Sequence, residues 1–588
     1  MKQPFQIFNT NIPKIAYWVL TFVAWLVFFQ LNSEYHLFYL EQSQLFVPES
    51  VNLTSSYGVV DYLTGSYVQH FGVPFCGAFI MALFNTLTSM MATYLLTRIS
   101  PSKIWCVLSQ LLPATMTFVF FSHLYRMQGT TAMLLALFLM CILQFVRIYF
   151  LRLGLSFLLV LLLYYCAGPI AIFMAFCIVL VDILRERSGK SLLDILLIPY
   201  SIFIGWCAFY FGIAGSMRTA LFPDEYFNHL MSAPAMVYYP WLVMFALLCA
   251  AGIFRNVRIK SVWASRSVAV ASVVLVLLVI WKGTALYGIS HALPLKQITY
   301  YSQHDNWEKV FDVTKDNGSN YLYVAYRNLA LSHAGVLADR IFEYPQVGPL
   351  GLLPNWDQSF TVSQLLSDIY YQIGDIAISQ QMAFEGIMAQ GNGGNPHLWK
   401  RLVETNLIFG YNEVAGKYID MLSKTPHYSD WAEKYRPYLY SPDKISENPL
   451  LMEKKKNVGG ENHLSRVLGF DADIDNILKC NPGNKPAIEY LGCLYLLGKD
   501  LEGFQKMLDK YYGTESLPEL PLSFQQAVII INEGNPDKWK EYKLSDKVIS
   551  QFEAFRKLFV EQRQSPYLQE TVYRSFGKTY WFYFTFKK

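Results

Sequence analysis

Residues 31–73 read LNSEYHLFYLEQSQLFVPESVNLTSSYGVVDYLTGSYVQHFGV and lie between the first two long apolar runs of the chain. This stretch contains no Lys or Arg, yet it carries four acidic side chains: Glu34, Glu41, Glu49 and Asp61. Loops that are moved across a bilayer are poor in Lys and Arg, whereas cytoplasmic loops collect these residues. We therefore interpret the stretch as a large outer loop, called loop one, of a membrane protein.

The first 290 residues contain nine apolar runs in all. A helix crosses the hydrocarbon core with roughly 20 apolar residues, because its backbone must satisfy its own hydrogen bonds in lipid. The runs lie at about residues 14–32, 74–97, 103–123, 128–150, 153–167, 169–185, 191–215, 237–254 and 266–288. The sequence thus predicts an all-α membrane domain of about nine spans over residues 1–290.

Basic residues set the predicted orientation of these spans. With the N-terminus inside, 13 Lys and Arg side chains fall within or beside short cytoplasmic segments, whereas the four outer loops hold only Arg126 and Arg218. Loop two is residues 123–126, loop three is 167–168 and loop four is 215–238. An odd number of spans places residues 291–588 outside, so we expect a multi-pass protein of a bacterial inner membrane with a periplasmic C-terminal domain.

Two segments of loop one have the pattern of helices that lie flat on a membrane. Residues 35–46 and 58–71 space their apolar and aromatic residues as helices do, and Pro48 and Gly58 interrupt the chain around them. The aromatic rings of such helices lie at the level of the lipid headgroups. We therefore expect two interfacial helices in loop one.

The chain after residue 290 has the composition of a soluble helical domain. Residues 1–290 hold 16 Lys and Arg against 9 Asp and Glu, whereas the remainder holds 32 against 35. This mildly acidic balance does not favour a nucleic-acid partner, which requires a clustered basic surface. Apolar residues recur three and four positions apart in successive helix pairs, as in 363–373 with 376–388.

Spacing typical of tetratricopeptide repeats occurs in pieces, for example at Trp399, Leu402, Leu407 and Gly410. Residues 291–588 are therefore predicted to form an irregular, tetratricopeptide-like α-solenoid, a fold whose concave surface usually binds a polypeptide. The apolar tail at 580–586 is expected to pack on the solenoid or to dip into the membrane interface. Whether Cys480 and Cys493 form a disulfide depends on a distance that the sequence does not contain.

The motif Ser33-Glu-Tyr-His-Leu37 opens loop one. It resembles the Asp-Glu-x-His-Phe start of the same loop in protein O-mannosyltransferases, and the plan of residues 1–290 resembles their GT-C class of glycosyltransferases. A tetratricopeptide domain behind such spans is similar to a metazoan family that fuses the two. Nearly the whole chain also resembles an uncharacterised family of Bacteroidota membrane proteins, through residues 40–46, 63–77 and 579–583. The GT-C resemblance implies transfer of a sugar or glycan from a polyprenyl-phosphate carrier to a periplasmic acceptor.

This chemistry needs a carboxylate that deprotonates the acceptor hydroxyl, a cation that stabilises the departing phosphate, and a groove for the lipid. In order of preference, the candidate bases are Glu34, Glu41 and Asp61. The candidate phosphate ligands are Arg126, Arg218 and Lys282. The candidate ligands for the acceptor or for a divalent metal are Asp224, Glu225, His229 and His36.

Each of these residues also has a structural interpretation. Acidic residues form the solvated face of interfacial helices, arginines extend to lipid headgroups, and Asp224 with Glu225 can cap a short helix. The alternative function is a non-catalytic periplasmic scaffold that assembles envelope proteins. A transporter is less favoured, because the sequence shows neither ionisable residues near the bilayer midplane nor paired broken helices.

Overall fold

The computed structural model describes residues 14–122, 124–186, 189–227, 232–257, 261–289, 293–315, 318, 320–390, 393–459 and 469–587. The fold is all-α and 76% helical, and none of the described residues belongs to a strand. This confirms the prediction that the fold is all-α. The chain divides into two compact units, of which the first comprises Met1–Glu41 and Phe46–Lys296 and the second comprises Gln42–Leu45 and Gln297–Lys588.

Thirteen α-helices of the first unit are described. They are α1 (Lys14–Asn32), α2 (Glu34–Gln42), α3 (Gly58–Val68), α4 (Cys76–Ile99), α5 (Trp105–Leu108), α6 (Leu111–Phe120), α7 (Gln128–Leu143), α8 (Tyr149–Ala167), α9 (Ile170–Glu186), α10 (Leu197–Tyr210), α11 (Met217–Leu221), α12 (Tyr239–Ile253) and α13 (Val262–Gly283). Short 3₁₀ segments include Gly189–Leu196, Pro223–Tyr226 and Ala235–Tyr238. Helices α2 and α3 lie where two helices of loop one were predicted.

Six helices among the described residues are long and apolar enough to cross a membrane, which is fewer than the nine predicted. They span Ile15–Asn32, Cys76–Ile99, Tyr149–Ala167, Ser191–Tyr210, Ala235–Asn256 and Val262–Gly288. The other three predicted spans are shorter helices: Trp105–Phe120, which contains the junction between α5 and α6, the 16-residue α7 and the 17-residue α9. The runs at 103–123 and 128–150 continue past the ends of their helices without a change in hydropathy, whereas the run at 169–185 corresponds to a helix of 17 residues.

Helix α9 forms the centre of the first unit. Its residues from Ile170 to Ala175 are all almost completely buried, and so are Cys177 and Val181. The helix packs against α7, α8, α10 and α12. A helix that is apolar on every side requires neighbours on every side, so these four helices surround it.

The second unit continues with nineteen described helices. They are α14 (Leu293–Gln303), which contains the boundary between the units, α15 (Trp307–Thr314), α16 (Tyr321–His333), α17 (Leu337–Arg340), α18 (Phe360–Ile373), α19 (Ile376–Gln390), α20 (Pro396–Phe409), α21 (Asn412–Ser423), α22 (Ser429–Tyr435), α23 (Pro442–Glu447), α24 (Pro449–Lys455), α25 (Phe470–Cys480), α26 (Lys485–Gly498), α27 (Leu501–Tyr511), α28 (Leu522–Ile531), α29 (Pro536–Glu541), α30 (Asp546–Glu561), α31 (Leu568–Phe576) and α32 (Tyr580–Phe586).

Helices α18 to α21 pack successively, each against the next, and local capping sets their limits. Ser359 and Asn395 accept hydrogen bonds from the first backbone N–H groups of α18 and α20. Gly374 and Gly410 end the same two helices in the left-handed conformation, which glycine adopts without steric strain. These signals separate the helices of each pair by short turns.

The apolar tail packs inside the second unit. Tyr580 and Trp581 are fully buried, and Nε1 of Trp581 donates a hydrogen bond to the carbonyl of Gln526 at 2.9 Å. The tail therefore packs on other residues of the second unit. Cys480 and Cys493 are both free thiols.

A buried ion pair connects α8 with α9 in the first unit. Nε of Arg152 lies 3.4 Å from Oδ2 of Asp182, and the two side chains are only 4% and 1% exposed. Asp194, in the 3₁₀ segment before α10, is buried nearby and accepts a hydrogen bond from the hydroxyl of Tyr149 at 3.3 Å. The partners of Asp182 and Asp194 lie 30 or more residues away along the chain, so no local sequence pattern indicates these contacts.

Removal of one charge from the buried pair is expected to destabilise the first unit. Arg152→Met or Asp182→Leu alone breaks this ion pair inside the protein, and breaking a buried pair costs about 3–5 kcal/mol. The double variant Arg152→Met/Asp182→Leu is expected to recover much of the loss. The measurement is the unfolding transition of the full chain in detergent. Arg98→Met, at an exposed position on α4, is the control; single variants that unfold like this control would show that the pair contributes nothing.

Candidate functional site

Loop four is fixed by Tyr226, whose side chain is buried against the hairpin between α8 and α9. Its hydroxyl donates a hydrogen bond to the carbonyl of Ala167 and accepts one from the N–H of Ile170 at 3.2 Å. A buried polar group without such partners costs about 1–3 kcal/mol. The two bonds therefore hold loop four against loop three.

The backbone of loop two pairs with the same part of loop four. The N–H of Arg126 donates to the carbonyl of Tyr226 at 3.0 Å, and Tyr125 and Phe227 form an isolated antiparallel β-bridge. Gly129 allows this close approach, because a Cβ there would lie 2.9 Å from Cβ of Tyr226. The side chain of Arg126 is consequently placed next to the 3₁₀ segment that carries Glu225.

Loop one joins the assembly through the start of α3. The N–H of Tyr57 donates to the carbonyl of Tyr165 at 2.8 Å, and the Tyr57 ring approaches Gly168 of loop three. One turn later, Asp61 accepts a hydrogen bond from Nε2 of Gln128 at 3.2 Å. Residues 54–61, 125–129, 165–170 and 223–227 thus form one connected structure, which we call the loop cluster.

Three predicted site residues meet in the loop cluster: Asp61, Arg126 and Glu225, here called the acid–arginine centre. Burial lowers the pKa of Arg126, and the negative charges of Glu225 and Asp61 raise it again. The charge of Asp61 raises the pKa of Glu225, while Arg126 lowers the pKa of both carboxyls. The three side chains come from three different loops and act on one another electrostatically.

Glu225 has the most strongly shifted carboxyl of the centre. Burial raises its pKa to about 7, with the charge of Asp61 acting in the same direction and that of Arg126 against it. Asp61 is exposed, yet nearby protein atoms displace enough water to raise its pKa; Gln128 and Arg126 oppose that increase. A carboxyl that titrates near neutral pH can both accept and donate a proton under physiological conditions.

A small cavity lies beside the loop cluster. Tyr125, Gly129 and Tyr226 line it together with apolar side chains such as Met116 and Trp241, and its volume is about 20 Å³. That volume holds about one water molecule. It is too small for a sugar or a lipid chain, so this cavity does not provide the groove that the predicted chemistry requires.

The other predicted residues of loop four form a separate ion pair. Nε of Arg218 lies 2.6 Å from Oδ1 of Asp224, and the hydroxyl of Tyr238 donates a hydrogen bond to Oδ2 of the same carboxylate. Asp224 is buried, whereas Arg218 is 56% exposed. Both carboxylate oxygens of Asp224 thus have protein partners. His229 lies outside the described residues.

The remaining candidates lie on helices α2 and α13. Glu34, the preferred base, is exposed on α2, and Glu41, the second choice, is buried near Gly72. Lys282 is exposed in the last turn of α13. Of the three predicted bases, Asp61 is the one that the structure places beside Arg126.

His36 has a partner that the sequence did not indicate. Its Nδ1 lies 2.7 Å from Nζ of Lys296, which also donates to the carbonyl of Phe121 at 2.9 Å and lies 5.5 Å from the ring centre of Tyr39. Both His36 and Lys296 are 0% exposed. A charged ammonium group can only donate, so Nδ1 accepts and a neutral His36 carries its proton on Nε2.

Burial dominates the titration of this pair. It lowers the pKa of Lys296 to about 7. It also lowers the pKa of His36, to about 2, and the charge of Lys296 adds to that effect. The one sequence signal for this site was a single Lys in the apolar segment that follows the last span. His36, predicted as an acceptor or metal ligand, instead holds a lysine.

Metal-ligating side chains do not converge in the part of the chain that the structure describes, where no group of three or more His, Cys, Asp or Glu residues is placed to hold a metal ion. The predicted metal ligands Asp224, Glu225 and His36 therefore have other neighbours, as given above. A metal site requires several oxygen or nitrogen ligands at short distances around one ion, and these side chains are not grouped in that way.

Taken together, these features define an all-α protein whose described residues include six helices that could span a membrane, with a charged centre built from its loops. Residues 10–587 match the model of a family of unknown function, DUF6057, and the chain belongs to that family. No curated protein and no solved structure matches the chain.

The burial of Lys296 predicts a pH-dependent stability. Between pH 7 and 10.5 the unfolded lysine, with its ordinary pKa of 10.5, binds a proton that the folded amine has released. Stability therefore rises with pH across this window. The wild type is expected to be less stable to unfolding than Lys296→Met at pH 7, and this difference should become smaller by pH 10. The measurement is unfolding of the full chain in detergent.

Two further variants test the same site. His36→Ala removes one hydrogen-bond partner of the buried amine and should lower stability by about 1–3 kcal/mol. Lys282→Met, at an exposed lysine of the same unit, should follow the pH dependence of the wild type. A constant difference between wild type and Lys296→Met over this pH range would show that Lys296 is not buried in solution.

Proposed function

We propose that this protein is a membrane-embedded glycosyltransferase that moves a sugar or glycan from a polyprenyl-phosphate carrier to a periplasmic acceptor. The observation that carries the proposal is the acid–arginine centre, in which Asp61, Arg126 and Glu225 come together from three loops of the first unit. A transferase of this kind requires a proton acceptor and a fixed positive charge in one place.

In the proposed reaction, Glu225 takes the proton of the acceptor hydroxyl, whose oxygen forms a bond to the anomeric carbon of the sugar. The bond from that carbon to the phosphate oxygen breaks, and its electron pair leaves with the polyprenyl phosphate. Arg126 stabilises the negative charge that develops on the phosphate. Asp61 keeps Arg126 in place and raises the pKa of Glu225, which makes Glu225 a stronger base.

The same proposal includes nine membrane crossings, with the N-terminus in the cytoplasm of a bacterium and the second unit in the periplasm. The mutual contacts of loops one to four support it, since alternate crossings bring alternate loops to one side. Contacts between the remaining loops agree: Arg185 donates to Gln144, and Arg255 donates to the carbonyl of Leu184. The short helices α7 and α9 then cross within a bundle whose other helices surround them.

The second unit is proposed to be a tetratricopeptide-like solenoid that presents the acceptor. The successive packing of α18 to α21 with glycine-terminated turns supports a helical repeat. A non-catalytic scaffold for envelope proteins is the second candidate function. The observation that favours it is the cavity of about 20 Å³ beside the loop cluster, which has no room for a sugar.

Loss of the centre is expected to abolish transfer. Glu225→Gln keeps the shape of the side chain but removes the base, which should reduce transfer by about 10²–10⁴-fold. Arg126→Met removes the charge that stabilises the leaving phosphate and should cost about 10²–10³-fold. The measurement is mass spectrometry of envelope glycans in a deletion strain that is complemented with each variant.

Glu34→Gln is the matched control, because Glu34 is an exposed carboxylate of loop one outside the centre. It should restore glycans to the level of the parent strain at equal expression. Loss of glycans with Glu34→Gln but not with Glu225→Gln would show that the base is Glu34, on α2, and not Glu225. If the deletion strain itself keeps all its glycans, the transferase proposal is wrong and the scaffold is favoured.

The pKa of Glu225 also predicts the pH profile of transfer. A general base works when it is deprotonated, so the rate should rise with pH and level off above about 7. Asp61→Asn removes the repulsion that raises the pKa of Glu225, so the rising limb should move to lower pH. Transfer is measured in membranes supplied with lipid-linked sugars extracted from the parent strain. If the rate of transfer by Asp61→Asn rises over the same pH range as that of the wild type, the electrostatic role of Asp61 is excluded.

A further inference from the structure

A second cavity lies entirely within the second unit and is far larger than the one beside the loop cluster. Its volume is about 510 Å³, and its walls come from residues 342–346 and from the C-terminal residues 566–587. Sites for small molecules usually enclose about 300–1,000 Å³. We call this cavity the C-terminal cleft.

Hydrogen bonds hold side chains on both walls of the cleft. Gln346 is buried, and its Nε2 donates to the carbonyl of Ile341 at 2.6 Å while its Oε1 accepts from Asn328 at 3.0 Å. The hydroxyl of Tyr583 donates to the carbonyl of Leu497 at 2.8 Å. These bonds fix both walls before any ligand arrives, which lowers the entropy that binding must overcome.

Two tyrosine rings at the cleft are open to solvent. Tyr567 is 69% exposed and Tyr573 is 58% exposed. The face of an aromatic ring carries partial negative charge and attracts groups with partial positive charge. The C–H groups on one face of a sugar ring are such groups.

Acidic side chains supply the polar part of the lining. Glu343 lies 2.8 Å from Nε of Arg340, and Glu570 lies 2.8 Å from Nη2 of Arg574. Each carboxylate has lone pairs beyond this one contact, and an ionised carboxylate only accepts hydrogen bonds. The ligand must therefore donate, as hydroxyl groups do.

The charges of the lining balance. Two glutamates, Glu343 and Glu570, face two lysines, Lys578 and Lys587. A strongly charged polymer is not favoured by such a surface. A proline-rich peptide would suit exposed tyrosines, but proline has no N–H to donate to the carboxylates.

We propose that the C-terminal cleft binds a neutral oligosaccharide, with sugar rings stacked on Tyr567 and Tyr573 and sugar hydroxyls donating to Glu343 and Glu570. The class of ligand follows from the cleft alone. Its identification as the glycan acceptor of the transfer reaction rests on the function proposed above.

The test is saturation-transfer NMR on the full chain in detergent, with cellotriose, maltotriose and mannotriose as neutral probes. At least one of them should bind the wild type, and Tyr567→Ala and Tyr573→Ala should each weaken that binding about tenfold. Tyr411→Ala is the matched control, because Tyr411 is also 58% exposed in this unit but lies outside the cleft. It should bind like the wild type.

Glu225→Gln separates this inference from the transferase proposal, since it should abolish transfer and leave oligosaccharide binding unchanged. Absence of binding by all three probes overturns the inference. Equal weakening by Tyr567→Ala, Tyr573→Ala and Tyr411→Ala overturns it as well. Binding of a proline-rich decapeptide at Tyr567 and Tyr573, without binding of the sugars, also overturns the inference. The cleft would then be a peptide groove.

Discussion

The buried hydroxyl of Tyr226 needs hydrogen-bond partners in surroundings without water, and the hairpin between α8 and α9 supplies two. This requirement fixes loop four, whose backbone then accepts from Arg126 and fixes loop two. Loop one is attached to the same hairpin by the N–H of Tyr57. The geometry of the acid–arginine centre therefore depends on a few bonds to backbone groups of one hairpin.

These backbone bonds explain how three charged side chains can share a partly buried position. Arg126 and the two carboxyls act on one another electrostatically, and together they carry one excess negative charge when all three are ionised. A proton on Glu225 removes that excess, which agrees with its pKa of about 7. The raised pKa of Glu225 therefore has a structural cause, which is burial together with the neighbouring charge of Asp61.

Helix positions in the second unit were predictable because they follow a local period: the predicted pair 363–373 and 376–388 corresponds to α18 and α19. Asp61, Arg126 and Glu225 were each identified from the sequence as rare charges in the predicted loops. Their grouping was not, since it arises from hydrogen bonds between loops. Lys296 was missed for the same reason, because its partners His36 and Phe121 lie 260 and 175 residues away.

The motif at Ser33–Leu37 shows the difference between position and role. Its resemblance to a glycosyltransferase motif placed the base at Glu34 and a ligand at His36, yet Glu34 is exposed and His36 accepts from a buried lysine. A histidine whose Nδ1 is engaged in this way, and whose pKa is lowered to about 2, stays neutral and serves to satisfy the amine. In this chain His36 of the motif is therefore part of a buried polar pair, and the carboxyl whose pKa is raised to about 7, Glu225, lies in loop four.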